Sequence, residues 1–331
     1  MMSFASISTT LPGLLMAFAI AVPAWLLGKA VPLIGGPVFA ILLGILLAGW
    51  QRPAVFETGL RFSAKKVLQA SIVLLGFEMN LYSVLAVGAQ SLLIMLFTLS
   101  AAFLTAWLVG RLLNLRGNTS ILIGVGTAIC GGSAIAATAP VIGANDKEVA
   151  YSISTIFLFN IAAVFIFPFT GHLLGLSDAG FGMWAGTAIN DTSSVVAAAY
   201  SYSDAAGSYA TIVKLTRTLM IIPITLALAI YTARQQNAQG TFNLLKIFPL
   251  FVLGFLGASI ISTSAVLPPA FCLLLAQAGK FCIAVAMAAI GLNTHLRQLI
   301  HNGVAPLFLG LACWAAVAVV SLLTQHYLNL W

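Results

Sequence analysis

Two apolar runs in this chain are long enough to cross a bilayer, yet both are interrupted by residues that membrane helices tolerate poorly. The first, 119–144, carries Gly124, Gly126, Gly131, Gly132 and Pro140. Adjacent glycines expose backbone and a proline removes a donor. In hydrocarbon such a stretch persists only where protein or a water-filled cavity satisfies the freed polar groups. The second run, 179–203, repeats the first: Gly186-Thr187-Ala188-Ile189 matches Gly126-Thr127-Ala128-Ile129, with Ser193 and Ala197 falling where Ser133 and Ala137 fell. Paired, glycine-interrupted hydrophobic segments point to a substrate site near the bilayer midplane of a secondary transporter.

Composition removes several other classes. Of 331 residues 61% are hydrophobic and 6% charged, against roughly 25% charged in soluble domains, so an integral membrane protein is expected. The net charge of +7 would suit nucleic acid only if it were clustered on one face. Here the basic residues are scattered between apolar runs, and no nucleic-acid partner is expected. Cys130, Cys272, Cys282 and Cys313 lie inside apolar runs without CxxC spacing, which supports neither a disulfide framework nor a metal site. No cofactor is implied. Met1 to Thr10 lack the basic n-region of a signal peptide, so the first apolar run is expected to be retained.

At about 20 apolar residues per span, segments fall near 12–29, 33–50, 67–88, 90–112, 119–144, 148–175, 179–203, 208–232, 245–265, 270–294 and 304–328. The expected fold is an all-α polytopic membrane protein of about 11 membrane segments, two of them discontinuous or re-entrant. It forms a single domain over 1–331, a core with the broken helices plus a scaffold. The most polar connector, 51–66, is a candidate interfacial helix, and 233–243 is a second polar connector. With a cytoplasmic N-terminus, the inner side collects Arg52, Arg61, Lys65, Lys66, Arg111, Arg116, Arg234, Lys246 and Arg297, and the outer side only Lys29 and Lys147. That bias predicts N-in, C-out in a bacterial inner membrane.

Charges remaining inside the apolar runs each cost about 2.5–3.5 kcal/mol on insertion scales and are candidates for pairing or function. They are Glu78, Asp191, Lys214, Arg217 and Lys280. Asn190-Asp191-Thr192-Ser193-Ser194 is the densest polar cluster in any apolar run. If the chain unwinds there, free N–H groups and hydroxyls line a cavity and the resuming helix offers its positive end to an anion. Asp191 and the serines would equally serve as a plain N-cap. Lys214 and Arg217 stand three apart on one helical face. Arg217 is too deep to snorkel, so it needs an anion or a carboxylate, and Asp191 is the nearest acid in sequence. Thr127, Cys130, Gly131, Gly132, Ser133 and Thr138 give the first run only neutral polar groups and backbone, and close helix packing is the alternative use of such small residues. Lys280 is a candidate third site cation, with a snorkelling or carbonyl-bonded lysine as the equal alternative. Asn160, and Glu78 with Asn80, are weaker candidates; a buried Glu78 would suit proton coupling.

Two near-matches fail. Gly126 to Ser133 lacks the lysine of a phosphate-binding loop and has no preceding strand. Ser133 would need a histidine base to act as an intramembrane protease nucleophile, and His172, His295, His301 and His326 all lie near segment ends.

Four motifs in order, Ala128-Ile129-Cys130-Gly131-Gly132-Ser133 with Pro140-Val141, Gly186 through Val195, Lys214-Leu215-Thr216-Arg217 with Pro223, and Ala288 through Thr294, together resemble the YeiH-type family of predicted sulfate exporters. Some members carry His-Glu where this chain has Asn190-Asp191. More distantly, Cys130 to Ser133 and Asn145 to Ser152 are similar to the crossing region of bile acid/sodium symporter-like transporters. That resemblance implies inverted repeats, two discontinuous helices crossing at mid-membrane, and a core moving against a panel that also serves a homodimer. The combined expectation is a carrier, not an enzyme, for a small anion such as sulfate, sulfite or an organic sulfonate. Thr127, Cys130, Gly131, Gly132, Ser133, Asn190, Asp191, Thr192, Ser193, Ser194, Lys214 and Arg217 are its binding residues, with Asp191 or Glu78 coupling Na+ or H+. The alternative is an anion channel or membrane sensor with a structural Asp191–Arg217 pair.

Overall fold

The computed structural model describes residues 4–31, 36–50, 52–115, 118–236, 250–294 and 304–331. Every regular element among them is helical: α1 Phe4–Ala30, α2 Gly36–Leu47, α3 Val55–Phe62, α4 Leu68–Leu75, α5 Leu81–Leu112, α6 Thr119–Ala128, α7 Gly132–Ile142, α8 Asp146–Leu173, α9 Asp178–Ala188, α10 Thr192–Tyr202, α11 Asp204–Leu219, α12 Ile221–Gln236, α13 Leu250–Thr263, α14 Pro269–Leu292 and α15 Val304–Tyr327. A π-helical turn, Ser63–Val67, joins α3 to α4, and a 3-10 turn, Gly76–Glu78, follows. Six of the described helical stretches are long and apolar enough to cross a membrane: Thr9–Ala30, Leu81–Leu112, Lys147–Leu173, Asp204–Leu228, Pro269–Leu292 and Val304–Tyr327. Exposed leucines and aromatics on α5 (Leu92, Leu96, Trp107) and α15 (Phe308, Leu323) are what a lipid-facing surface needs.

Three sequence boundaries move. The expected runs 67–88 and 90–112 are replaced by a helical stretch from Val55 to Glu78 and by α5, which starts at Leu81. The polar connector 51–66 is thus largely helix. Arg61 pairs with Glu57 one turn away at 3.0 Å on its exposed side, while Gly59 and Leu60 turn inward, so local pairing lets a charged stretch keep one apolar face. The run expected at 208–232 starts at Asp204 and divides at Met220. Arg116, Lys246, Arg297, His295, His301, part of the 233–243 connector and the start of the 245–265 segment lie outside the described residues.

The chain forms two compact units. One comprises 1–85, 196–208 and 250–295, and the other 86–195, 209–249 and 296–331. In the first, glycines set helix spacing. A Cβ on Gly44 of α2 would sit 2.5 Å from the Ala288 carbonyl and 2.9 Å from the Gly291 Cα of α14, and one on Gly291 would strike the Ile41 carbonyl. Gly13 of α1 and Gly59 of α3 meet in the same way. Lipid offers no hydrophobic drive for helices to associate, so backbone-to-backbone approach at small residues carries the packing. Polar groups then close the ends. Arg52 donates to the Leu292 carbonyl (2.7 Å) and to Asn293 Oδ1 (2.9 Å) at the end of α14, and Ser259 and Ser262 of α13 donate to the Gly76 and Phe77 carbonyls.

In the second unit α6 and α9, the first halves of the two broken runs, are buried along most of their length. Trp184 of α9 stacks on Phe167 of α8 at 4.1 Å and donates to the Ala318 carbonyl of α15 at 3.1 Å. Thr187 and Ser321 share a 2.6 Å hydrogen bond. A capping box at Asn145–Glu148 starts α8, and the same Glu148 accepts from the Asn118 N–H at the start of α6.

Replacing Gly291 by Val is expected to cost about 1–3 kcal/mol through overpacking, read as a lower melting temperature of purified protein. Gly49→Ala, where an added Cβ meets nothing within 4 Å, is expected to leave melting unchanged. Equal melting of both variants would contradict this account of the α2–α14 contact.

Candidate functional site: two broken helices tied by Lys214 and Arg217

The first break is set by local backbone chemistry. The Ile129 N–H closes the last turn of α6 on the Val125 carbonyl, and the Gly131 N–H reaches back to the Gly126 carbonyl at 2.9 Å. Gly131 then adopts φ 68°, ψ −126°, a region open to glycine and costly to other residues. The chain turns into α7, whose first turn is closed by Ile135 N–H on the Gly131 carbonyl. The second break needs no glycine: Ile189 is extended at φ −82°, ψ 132°, and α10 resumes at Thr192.

Each break ends a helix whose last carbonyls have no intrahelical donor. Lys214 and Arg217, one turn apart on α11 and both fully buried, supply the donors. Lys214 Nζ donates to the Ile129 carbonyl (2.9 Å) and the Ile189 carbonyl (3.0 Å). Arg217 donates through Nε to the Ala128 carbonyl (2.7 Å), through Nη1 to the Ile189 carbonyl (3.3 Å), and through Nη2 to the Thr127 carbonyl. Both cations therefore sit on the negative ends of α6 and α9 at once, where helix dipoles favour positive charge. This places the two broken runs together.

The structural Asp191–Arg217 pair weighed as the alternative does not form among the described residues. All of the hydrogen bonds of Arg217 run to backbone carbonyls, and Asp191 instead caps α10. Its carboxylate accepts from the Ser193 N–H at 2.9 Å and from the Ser193 hydroxyl, and its carbonyl takes the Val195 N–H. The Asp191 N–H in turn donates to Asn160 Oδ1 at 3.1 Å. A carbonyl end offers the guanidinium several acceptors in fixed positions, and a single capping carboxylate already has its own donors to satisfy.

The two resuming helices differ at their N-termini. That of α10 is filled by Asp191. The N-cap of α7 is Gly131, which has no side chain to give; a Cβ on Gly132 would meet nothing within 4 Å, and Ser133 is exposed. A Cβ built on Gly131 would lie 3.6 Å from the Asn160 amide nitrogen and 3.7 Å from the Asp191 Cβ, so the open N-terminus, Asn160 and Asp191 adjoin. Cys130 is a buried free thiol. Thr192, Ser193 and Ser194 are buried. Among the described residues, the hydroxyls of Thr127 and Thr138 and both ends of the fully buried Asn190 amide have no hydrogen-bond partner.

Glu78 and Lys280 belong to the other unit, where Lys280 Nζ lies 3.3 Å from Glu78 and 3.0 Å from Asp204. Nothing local in the sequence links Asp204 to a lysine on a helix far along the chain. Among the described residues no group of three or more His, Cys, Asp or Glu side chains is placed to hold a metal ion.

The family described as conserved hypothetical protein 698 matches residues 12–310. A "UPF0324 membrane protein" of Streptococcus mutans is 50% identical, with 97% of this chain and 98% of that protein covered. Relatives of the same description from Streptococcus agalactiae and Fusobacterium nucleatum are 49% and 46% identical, over 97% and 96% of this chain and 98% of each relative. No solved structure matches the chain.

Arg217→Met is expected to orphan the Thr127 and Ala128 carbonyls, at about 1–3 kcal/mol each. Lys214→Met orphans the Ile129 carbonyl alone, since Ile189 keeps Arg217. Melting of the purified variants should therefore fall in the order wild type, Lys214→Met, Arg217→Met. An Arg217→Met protein that melts like wild type would contradict the assignment.

Proposed function

The chain belongs to the conserved hypothetical protein 698 family, the YeiH-like membrane proteins, and from that premise we propose that it is a secondary transporter moving a small anion across a bacterial inner membrane by alternating access. The observation that carries the proposal is the charge balance at the crossing. Two buried cations face one carboxylate, Asp191. The half-charges at the two helix C-termini and the two helix N-termini offset one another, so one positive charge is left over. The open N-terminus of α7, with the Gly132 and Ser133 N–H groups, is where an anion would discharge it.

In this reading Lys214 and Arg217 bind no substrate directly; they hold the crossing and supply its field. Gly131, Gly132 and Ser133 cradle the anion, and Asn190, Thr127 and the polar residues through Ser194 form the polar wall around it. Sulfate, sulfite and organic sulfonates are the substrate class. Coupling to Na+ or H+ falls to Asp191, with Glu78 as the second candidate. The half-helices α6, α7, α9 and α10 have 10 or 11 residues each, about 15 Å of rise apiece. Two such halves make up one membrane thickness, which supports eleven segments arranged as inverted repeats. The charge bias supports N-in, C-out: Arg52 and Arg61 stay at the start of the helical stretch Val55–Glu78, and only Lys65 and Lys66 move to its middle. A homodimer is the proposed assembly, and no enzymatic step or cofactor is involved.

Counterflow in proteoliposomes tests this with labelled sulfate and a simple alkanesulfonate. A carrier exchanges label saturably without net flux. Ser133→Asp would put a carboxylate in the first turn of α7, a placement worth about 0.3–1 kcal/mol to the helix, in the space reserved for the anion. Melting should hold while exchange falls at least tenfold. Unsaturable downhill flux would indicate a pore, and full exchange by Ser133→Asp would remove the anion site from α7.

A further inference from the structure

The first unit holds a half-open pocket of about 370 Å3, within the size range of small-molecule sites, and none of its lining residues belongs to the crossing. Its walls are the last turns of α1 with Trp25 and Lys29, the first turn of α2, the end of α10 with Tyr200 and Tyr202, Asp204 at the start of α11, and Lys280 midway along α14. Elements from four separate stretches of sequence thus converge on one space and bring charges of both signs to it.

Those charges are not arranged as simple pairs. Lys280 is largely buried and is held by Asp204 at 3.0 Å and Glu78 at 3.3 Å, with its ammonium 5.5 Å from the centre of the Tyr200 ring. One lysine between two carboxylates leaves a negative charge, and the Asp204 side chain is 71% exposed, so it is free to accept further donors. Lys29 is exposed and joins no ion pair among the described residues. It supplies the balancing positive charge, reinforced by the N-terminal end of α2. Lys29 and Asp204 line the same cavity, yet no Lys29 nitrogen comes within 4.0 Å of an Asp204 oxygen. Counting Glu78, which pairs with Lys280 but does not itself line the cavity, the site is neutral in total and split into a positive and a negative side, with Trp25, set edge-on against Phe281 at 5.8 Å, as an apolar surface between chain segments.

We infer that this cavity binds a small zwitterion of the amino acid type, its carboxylate on Lys29 and the first turn of α2, its ammonium on Asp204, and its apolar body along Trp25. A simple anion would answer Lys29 alone and leave the surplus charge of Asp204 and Glu78 on their one lysine, and a simple cation would confront Lys29. Only a ligand carrying both charges, a short distance apart, matches both sides without unbalancing the cavity.

Purified full-length protein in lipid nanodiscs can be titrated with β-alanine, 4-aminobutyrate, leucine and phenylalanine, read by melting temperature and calorimetry, with propionate and propylamine as controls carrying one charge each. At least one zwitterion is expected to bind saturably and raise the melting temperature, with propionate and propylamine at least tenfold weaker. Lys29→Gln and Asp204→Asn should each weaken that zwitterion at least tenfold. Asp204→Asn should also shift preference toward propionate, a change that mere misfolding would not produce. Lys29→Arg and Asp204→Glu should restore binding. If none of the four zwitterions binds, if propionate binds as well as the zwitterion, or if both neutralised variants bind as wild type does, the assignment is overturned.

Discussion

Two cations on one face of α11 hold the carbonyl ends of two interrupted helices, and the second unit is organised around that tie. Unpaired carbonyls inside a membrane protein cost free energy, as do unpaired buried cations. Brought together, each satisfies the other. Arg217 spans both helices through its forked guanidinium, and Lys214 does so with a single ammonium between Ile129 and Ile189. A carboxylate partner would have neutralised the charge; carbonyls satisfy the hydrogen bonds and leave most of the field in place. In the proposed function, that remaining field is what an anion would meet.

The broken runs, their likeness to one another and the family were legible in the sequence, because Gly131-Gly132, Pro140 and the polar string Asn190 to Ser194 are rare inside apolar stretches. The depth of Arg217 was legible too. Its partner was not: backbone carbonyls leave no mark in a sequence, and the nearest side-chain acid, Asp191, caps its own helix. The extent of α3 was hidden for a related reason. Arg61, Lys65 and Lys66 look like a connector until Glu57 pairs with Arg61 and Gly59 packs on Gly13. The Lys280–Asp204 contact joins residues far apart in the chain, and no local pattern announces it.

The difference between the two resuming helices gives the crossing a direction. Asp191 fills the N-terminus of α10 with a charge of the protein's own, whereas Gly131 leaves that of α7 without one. The same glycine also permits the φ that turns the chain, so one residue both makes the break and keeps its mouth open. A side chain there would add strain and crowd Ile156, whose nearest atom lies 3.3 Å from the Cβ position.

The most direct test of this account is a density map of the protein in nanodiscs with selenate, a heavier relative of sulfate. Selenate is expected at the Gly132 and Ser133 N–H groups, with the Arg217 guanidinium still on the carbonyls of Thr127, Ala128 and Ile189. Selenate seated on the guanidinium itself, with those carbonyls released, would contradict it.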